Sequence, residues 1–410
     1  MNYFLNKPHY FKLLIIAATF CYSAVSFGQY SMKTEPVDAE LTYVGDSRML
    51  DGQSILEIPG YFVWGGSVVK GRYGKYHMFF SRWIAGSEHP KFSDGWLINS
   101  EICYAVSNYP DRNFRFVKVI LKGRRHEGEP NAWDAQGVHN PHIQKFGNMY
   151  YLYYIGSNDP GEQPHGSRGE NVDFRNRIQQ NQKIGVVTFR HIEDLLNGDY
   201  TRSATPILSP RTRVKKDNVV NPSPRRVKAK PDNMIVVNPS VVFDPNKKKY
   251  LLYFKGNLYD PYWRGVHGLA IGDSPVGPFL ALDNFVFDIK MEDGRIASAE
   301  DPYVWYNKKD DLFYAVMKDF SGQITQQEPG LAILVSRDGI DWDIPDNPFF
   351  MKKELTLTDG RRIKVDNLER PQLLIDENGY PLSIYLACSI DNVGPKTDGS
   401  TFNVQIKLME

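Results

Sequence analysis

Two adjacent carboxylates, Glu300 and Asp301, stand directly before Pro302 in the stretch SAEDPYVWYNKKDDLFYAVMKD. A like-charged neighbour raises the pKa of a carboxyl group, which lets the group hold a proton. Cleavage of a glycosidic bond needs such an acid, together with a second carboxylate that activates water or attacks the sugar. We take Glu300 as the candidate acid, because neighbours on a strand point to opposite faces. In the competing interpretation Asp301 caps the turn and Glu300 forms an ion pair.

Two further carboxylates are candidates for the second catalytic group. Asp134, in NAWDAQGVHNP, lies five residues before His139 and can reach the same place, although an ordinary turn aspartate is an equal alternative. Glu369, in LERPQLL, occupies the register of Glu300 in the last copy of a repeated phrase. It acts either as the base or as the partner that holds Arg370. Arg370 can bind a carboxylate or sulfate of a sugar through two parallel hydrogen bonds, or can be a structural partner.

The phrase that carries Glu300 occurs five times. Each copy has a polar pair, usually a proline, an apolar run, a turn and an aromatic strand, a pattern that predicts a β-hairpin. In the first copy Gly66 takes the place of the proline. The copies are GGSVVKGRYGKYHMFF from Gly65, HNPHIQKFGNMYYLYYIG from His139, VNPSVVFDPNKKKYLLYFKG from Val237, EDPYVWYNKKDDLFYAVMKD from Glu300 and ERPQLLIDENGYPLSIYLA from Glu369.

A second, fainter repeat follows the hairpins and predicts a third strand in each unit. It occurs in ICYAVSNYPDRNF, IGVVTFRHIEDL, HGLAIGDSPVGPF and LAILVSRDGIDW, and the segments beyond supply a fourth strand. Five units of about four antiparallel strands predict an all-β fold, a five-bladed β-propeller that forms a single domain over residues 29–410. Helical periodicity is confined to RHIEDLLNG. A β-sandwich ranks lower, because it would not show a two-part repeat.

The propeller geometry predicts that the polar pairs meet. The first strand of each blade lines the central axis, so residues just before it reach one mouth of the channel. We therefore expect one pocket, with no metal or cofactor indicated by ligand spacing and a structural calcium ion on the axis as an alternative. The predicted substrate-binding residues are His139, Asn140, Asn238, Asp301, Arg370 and Trp64.

The N-terminus predicts an export signal over residues 1–28. Lys7 and Lys12 precede the apolar run LLIIAATFCYSAV, and the small residues Ser26 and Gly28 mark a cleavage site. The apolar run is short for a membrane span, so we expect no transmembrane segment after cleavage. The mature chain is then periplasmic, attached to the cell surface or secreted.

Composition narrows the range of partners. A net charge of +1 over 410 residues gives no overall field for nucleic acid or a membrane surface. Aromatic residues make up 13% of the chain, which suits strands and the stacking of sugar faces. The composition of the basic stretch 209–233 is typical of a long loop between blades. This loop is either simply solvated or forms a basic rim of the pocket that attracts an anionic polysaccharide. Cys103 and Cys388 form either one disulfide or two buried thiols.

These phrases resemble those of the five-bladed β-propeller glycoside hydrolases, the group that contains families 43, 32, 62, 117 and 130. EDPYVWY is similar to the acid-bearing phrase of family 43 and maps the acid onto Glu300. NPSVVFDPNKKKYLLYF is similar to the phrase that holds the aspartate modulating the acid's pKa, with Asn238 in its place. WGGSVV has no carboxylate where the family-43 base stands, so the chain resembles a divergent member in which Asp134 or Glu369 replaces the base.

The resemblance implies a secreted, inverting glycosidase that acts on oligosaccharides or polysaccharides. A closed funnel suits removal of sugars from the ends of plant or algal polysaccharide fragments. β-Xylosidase or α-L-arabinofuranosidase activity is the first expectation, and release of anhydrogalactose is the next. Two other functions stay open: a glycan-binding propeller without catalysis, and a glycoside phosphorylase that needs a basic phosphate pocket, for which Arg370 and Arg82 are the residues to inspect.

Overall fold

The structure is a computed structural model. The predicted export signal and most of the basic stretch 209–233 lie outside the residues that it describes. The described residues are 32–86, 88–162, 164–166, 170–211, 228–258, 263–391 and 400–409.

Five antiparallel sheets form the five predicted blades, and the all-β propeller prediction is confirmed. The strands before blade I are β1 (Lys33–Thr34), β2 (Glu40–Val44), β3 (Ser47–Asp51) and β4 (Ile55–Leu56). Blade I contains β5 (Tyr61–Lys70), β6 (Tyr76–Ile84), β7 (Glu101–Ser107) and β8 (Arg115–Leu121). Blade II contains β9 (Val138–Phe146), β10 (Met149–Gly156), β11 (Lys183–Phe189) and β12 (Thr201–Arg202). Blade III contains β13 (Val237–Asp244), β14 (Lys249–Leu258), β15 (Arg264–Gly272) and β16 (Leu280–Ala281).

The second half of the chain repeats the arrangement. Blade IV contains β17 (Ala299–Asn307), β18 (Leu312–Asp319), β19 (Gly330–Ser336) and β20 (Phe349–Lys352). A short hairpin follows, β21 (Glu354–Thr356) with β22 (Arg362–Lys364). Blade V contains β23 (Asn367–Ile375), β24 (Pro381–Ile390) and β25 (Ser400–Met409).

Both ends of the described chain meet in blade V. The N-terminal strand β1 pairs with β25 through Thr34 and Leu408, and β4 pairs with the same strand through Ile55 and Val404. The last blade is thus completed by strands that precede the first, which closes the ring of sheets. The sequence repeats did not predict these short strands, because they carry no copy of the hairpin phrase.

Among the described residues, three short α-helices interrupt the blades. They are α1 (Phe92–Ile98) after β6, α2 (Phe174–Gln179) after β10 and α3 (Ile192–Asn197) after β11. Of these helices, the periodicity of the sequence predicted only α3. The side chain of Asp173 caps α2 by accepting a hydrogen bond from the Asn176 backbone, and Arg175 ties α2 to α1 through Asp94 at 2.7 Å. These two helices form part of the wall of the cavity described below.

The innermost strand of every blade has a bulge at the same position. Two residues of this strand lie opposite one residue of the neighbouring strand, and the first of the two has a left-handed backbone with φ between 51° and 62°. The second is proline in four blades, which suits a position without a ladder hydrogen bond to donate. The left-handed residues are Gly65, Asn140, Asn238, Asp301 and Arg370.

Apolar side chains fill the spaces between neighbouring blades. Separate buried clusters join blades I and II, II and III, III and IV, IV and V, and V and I. Cys103 in β7 and Cys388 in β24 are free thiols within such clusters, and burial raises the pKa of each thiol. Each blade is therefore stabilised mainly by burial against its two neighbours.

Closure of the ring can be tested at Phe402 in β25, which is fully buried opposite Cys388. We expect Phe402→Ala to lower the free energy of unfolding by about 3–5 kcal/mol, because it removes a large ring and leaves a cavity. Leu382→Ala, at a side chain of blade V that is 43% exposed, should cost less than about 0.5 kcal/mol. Urea denaturation measures both, and equal losses would contradict this role of β25.

Candidate active site

A cavity of about 280 Å³ opens at the mouth of the central channel, where the first strands of the blades begin. Eight of the nine predicted site residues line it, so the polar pairs converge as the repeat predicted. Glu300, Glu369 and the six predicted substrate-binding residues belong to this lining. The other lining residues are Trp83, Phe92, Trp96, Ile155, Gln179, Gln182, Ile235, Val237, Lys255, Trp263 and Asn367.

The left-handed bulge residues form the floor of the cavity. The Asn140 side chain donates to Asn238 at 2.8 Å, and Asn238 donates to Asp301 at 2.6 Å. The Asp301 carboxylate also accepts from the backbone N–H and the Nη1 of Arg370, at 3.0 and 3.3 Å. Arg370 reaches across the axis, with Nη2 3.4 Å from the Asn140 carbonyl oxygen and its Nε beside Gly65. Side chains of four blades are thereby linked in one network.

A second buried layer supports this floor from below. The Val241 N–H donates to Nε2 of His142 at 3.0 Å, which leaves Nδ1 to donate to the Gln372 side chain, also at 3.0 Å. Ser67 donates to the same Gln372 oxygen. Burial lowers the pKa of His142 to about 4, so the imidazole is neutral at neutral pH. His142 is therefore a structural link between blades.

Two lysines bind the glutamates at the side of the cavity. Lys255 Nζ lies 3.0 Å from Oε1 of Glu300, and Lys318 Nζ lies 4.0 Å from Oε2 of the same carboxylate. Lys318 also forms a close ion pair with Glu369. A single ammonium group thus stands between the two carboxylates. Both lysines lie in the last part of the second strand of their blade, and Lys318 pairs in register with Glu300.

These charges reverse the expected order of the two acidic pKa values. Burial raises the pKa of Glu300, but the ammonium groups of Lys255 and Lys318 outweigh it and hold the pKa below its ordinary value. Burial together with the Glu300 charge raises the pKa of Asp301 to about 6, against the effect of Arg370. The expectation that a like-charged neighbour keeps Glu300 protonated is corrected: in this state Glu300 is a carboxylate.

Aromatic rings line the walls above the floor. Trp64 packs edge-on against Phe92 of α1, and Trp96 meets the ring of His139 edge-on at 5.0 Å. Trp263, which is 41% exposed, lies at the rim with Lys255 5.2 Å from its ring centroid. Faces and edges of indole rings beside polar groups are features that suit a sugar ring.

His139 is a buried, neutral part of the wall. Its Nε2 lies 3.1 Å from the Gln182 side-chain oxygen, and its Nδ1 has no hydrogen-bond partner among the described residues. Burial is the main cause that lowers the pKa of His139 to about 3. The imidazole can therefore bind a hydroxyl group but does not carry a proton at neutral pH.

Asp134 does not reach the cavity, which corrects its assignment as a second catalytic carboxylate. It is fully buried behind blade II, where it forms ion pairs with Arg202 at 2.7 Å and Arg124 at 3.3 Å. The Tyr154 hydroxyl donates to the same carboxylate at 2.7 Å. Asp134 therefore stabilises the packing of its blade, and Glu369 is the remaining partner for Glu300.

Sequence reasoning missed the groups that set the charge of the site. The sequence provided only a weak indication of a role for Lys255 and Lys318. The hairpin register places each of them opposite the start of the first strand of its blade. Trp96 and Gln179 come from α1 and α2, insertions that lie outside the repeat. Trp263 follows a segment that is not described. Trp96, Gln179 and Trp263 lie outside the repeated phrase, whereas Lys255 and Lys318 stand near the end of its third and fourth copies.

Charge at the axis bears on the alternative of a bound calcium ion. The Arg370 guanidinium, bound to Asp301, already lies there, and a cation at the same place would be repelled. Among the described residues no three His, Cys, Asp or Glu side chains are grouped as metal ligands would be. Within the same residues, no helix has the length and apolar character needed to cross a bilayer.

Comparison with known proteins identifies relatives by fold. No protein-family model and no curated protein sequence matches this chain. Among solved structures it is similar to Zg3597, a family 117 glycoside hydrolase of the marine bacterium Zobellia galactanivorans, with 15% identity and a TM-score of 0.54 over 92% of this chain and 90% of that one.

Two other solved structures give the same result. A thermostable family-43 glycoside hydrolase matches with 11% identity and a TM-score of 0.52, over 86% of this chain and 92% of that one. The catalytic domain of the Coprinopsis cinerea GH62 α-L-arabinofuranosidase matches with 13% identity and a TM-score of 0.51, over 93% and 97%. At these identities the likeness shows a common fold, the propeller that the sequence resemblance predicted.

The electrostatic account of the site can be tested by removing Lys255. We expect Lys255→Met to raise the pKa of Glu300, because burial then acts with one opposing ammonium group fewer. A pH titration of the Glu300 carboxyl carbon by NMR measures the shift. Lys249→Met, at a half-exposed lysine of the same blade that pairs with Asp273, is the matched control and should leave the Glu300 titration unchanged. A Glu300 pKa that stays constant in Lys255→Met would contradict the assignment.

Proposed function

We propose that this protein is an exported glycoside hydrolase that removes sugars from the ends of plant or algal polysaccharide fragments. The observation that supports it is the axial cavity, in which Glu300 and Glu369 face a space walled by tryptophans. Hydrolysis of a glycosidic bond requires two carboxyl groups beside the bound sugar, and Glu300 and Glu369 are two such groups here. The solved structures that share the fold are named as glycoside hydrolases, which favours the same chemistry here.

The closed floor favours a chain end as the substrate. The network of Asn140, Asn238, Asp301 and Arg370 blocks the channel directly beneath the cavity. A polysaccharide cannot thread through it, so one terminal sugar enters and the rest of the chain leaves past the rim. Trp263 at that rim is placed to stack against the next sugar.

The proposed reaction is a single displacement between the two glutamates. Glu300 gives a proton to the glycosidic oxygen as its bond to the anomeric carbon breaks. Glu369 accepts a proton from the water whose oxygen forms the new bond to that carbon from the opposite face, which inverts the configuration. Atoms and charge balance, because the proton that Glu369 gains replaces the one that Glu300 loses.

The lysines set a condition on this mechanism. In the free site Glu300 is held as a carboxylate by Lys255 and Lys318, so it has no proton to donate. A sugar that displaces Lys318 from between the carboxylates takes one ammonium group away from Glu300. It also leaves Glu300 facing the negative charge of Glu369. Both changes raise the pKa of Glu300 and allow it to take up a proton. Substrate binding would thus create the acid.

The sugar is proposed by analogy. The family 62 structure is named as an α-L-arabinofuranosidase, which supports an arabinofuranosidase or the related β-xylosidase activity for this chain. The likeness to a family 117 enzyme keeps release of an anhydro sugar as the next choice. Phosphorolysis gains no support: Arg82 pairs with Glu101 outside the cavity, and Arg370 is held by Asp301.

A second function is favoured by one specific observation. Blade I presents Gly65 and Gly66 where a family-43 base would stand, and both glutamates are neutralised by lysines. A propeller that binds a glycan end without cleaving it would have these features. Binding and turnover must therefore be measured separately.

Turnover is tested by a screen of xylo-, arabino- and algal oligosaccharides followed by Glu300→Gln. We expect the substitution to lower kcat by about 10²–10⁴-fold, because the group that donates the proton is lost. Glu328→Gln, at an exposed glutamate of the same blade, is the matched control and should retain full activity. Full activity of Glu300→Gln would end the assignment.

Binding without turnover has its own signature. If the protein is a hydrolase, Glu300→Gln still binds the oligosaccharide, and NMR of the wild-type reaction shows the inverted anomer as the first product. If no sugar in the panel is cleaved but calorimetry shows binding that is lost in Trp263→Ala, the glycan-binding function replaces the enzymatic one.

A further inference from the structure

A second cavity, of about 570 Å³, lies at the opposite end of blades I and II and shares no residue with the axial cavity. We propose that it binds a tetrahedral oxyanion, the sulfate or phosphate group of an ester or of the free ion. The turn between β5 and β6, the turn between β9 and β10 and the segment after β11 build its walls. This inference is independent of the proposed hydrolase activity.

Four exposed cations surround this cavity: Arg72, Lys75, Lys145 and Arg190. None of them forms an ion pair with the described part of the chain, and Glu193 is the one carboxylate in the lining. Most exposed cations of a protein are spread over convex surface. Here they face one concavity, where low-dielectric walls strengthen their attraction for an anion.

The backbone fixes two of these cations on one tight turn. The Gly71 N–H donates to the Lys75 carbonyl oxygen at 2.8 Å, and the Lys75 N–H donates to that of Arg72 at 3.2 Å. Between them Tyr73 and Gly74 have left-handed backbones, with φ of 56° and 71°. The turn therefore holds the guanidinium-bearing and ammonium-bearing residues three positions apart at the same edge of the cavity.

A buried histidine adds an uncharged donor beside the cations. His77 Nδ1 lies 2.7 Å from the Tyr104 hydroxyl, and burial lowers the pKa of His77 to about 4, so the ring is neutral. With the Tyr104 hydroxyl donating to Nδ1, the neutral ring of His77, which is part of the cavity lining, carries its proton on Nε2. Gly71 makes room for this ring, because a Cβ there would lie 2.2 Å from Nε2.

The combination matches the needs of a sulfate or phosphate group. Such a group has several acceptor oxygens, and arginine and lysine donate charge-assisted hydrogen bonds to them. Tyr150, whose ring lies 5.3 Å from Lys145 Nζ, forms the base of the cavity. The Glu193 carboxylate opposes an anion, so its removal should strengthen binding.

The test is calorimetry on the full chain with three probes: inorganic sulfate, a monosulfated galactose disaccharide and the same disaccharide without sulfate. We expect the sulfated disaccharide to bind at least about ten-fold more tightly than the unsulfated one, since each charge-assisted hydrogen bond contributes on this scale. Inorganic sulfate that binds equally well identifies the free ion as the ligand, whereas tighter binding of the disaccharide identifies a glycan ester.

The variant Arg72→Gln/Arg190→Gln should weaken binding of the sulfated probe at least about ten-fold, and Glu193→Gln should tighten it. Lys33→Gln/Arg115→Gln removes the same charge from exposed cations elsewhere and should change binding less than about two-fold. Glu300→Gln should leave sulfate binding intact, which separates this site from the axial one. No binding of either sulfate probe, or equal loss in the control variant, would overturn the proposal.

Discussion

The molecule depends on a ring of left-handed bulge residues around the propeller axis. Each blade turns one residue inward at the start of its first strand, and four of these five residues are not glycine. A left-handed backbone costs a non-glycine residue about 1 kcal/mol or more, so the ring must be stabilised by its contacts. Those contacts are the hydrogen bonds from Asn140 through Asn238 to Asp301, and the buried ion pair of Asp301 with Arg370. Removing one member would leave a buried charge or amide without a partner.

The ring determines what the cavity above it can do. Because each bulge turns its own side chain into the floor, the residue before it faces the space above. This is why Glu300 and Glu369 lie beside the cavity while Asp301 and Arg370 lie beneath it. The carboxylates would repel each other in a buried place, and Lys318 between them removes that repulsion. The same ammonium group, together with that of Lys255, holds the pKa of Glu300 below its ordinary value.

The sequence predicted the fold well because the fold is repetitive. Five copies of one hairpin phrase, four with proline, specify five first strands and the place where their polar residues meet. It predicted Glu300 and Glu369 for the same reason. It did not predict Lys255, because a lysine at the end of a strand has no pattern until the register is known. Asp134 had a suitable position along the chain, but Arg202 and Arg124 bind it on the far side of β10. The lowered pKa of Glu300 likewise follows from Lys255 and Lys318, which are distant from it in sequence.

The role of the two glutamates in the axial cavity is decided by a crystal structure with a bound xylo- or arabino-oligosaccharide. We expect the terminal sugar to lie in the axial cavity, with the glycosidic oxygen about 3 Å from a Glu300 carboxyl oxygen and with Lys318 displaced from between the two glutamates. A glycan bound elsewhere, or one in the cavity with its glycosidic oxygen beyond reach of both glutamates, would rule out the proposed hydrolysis.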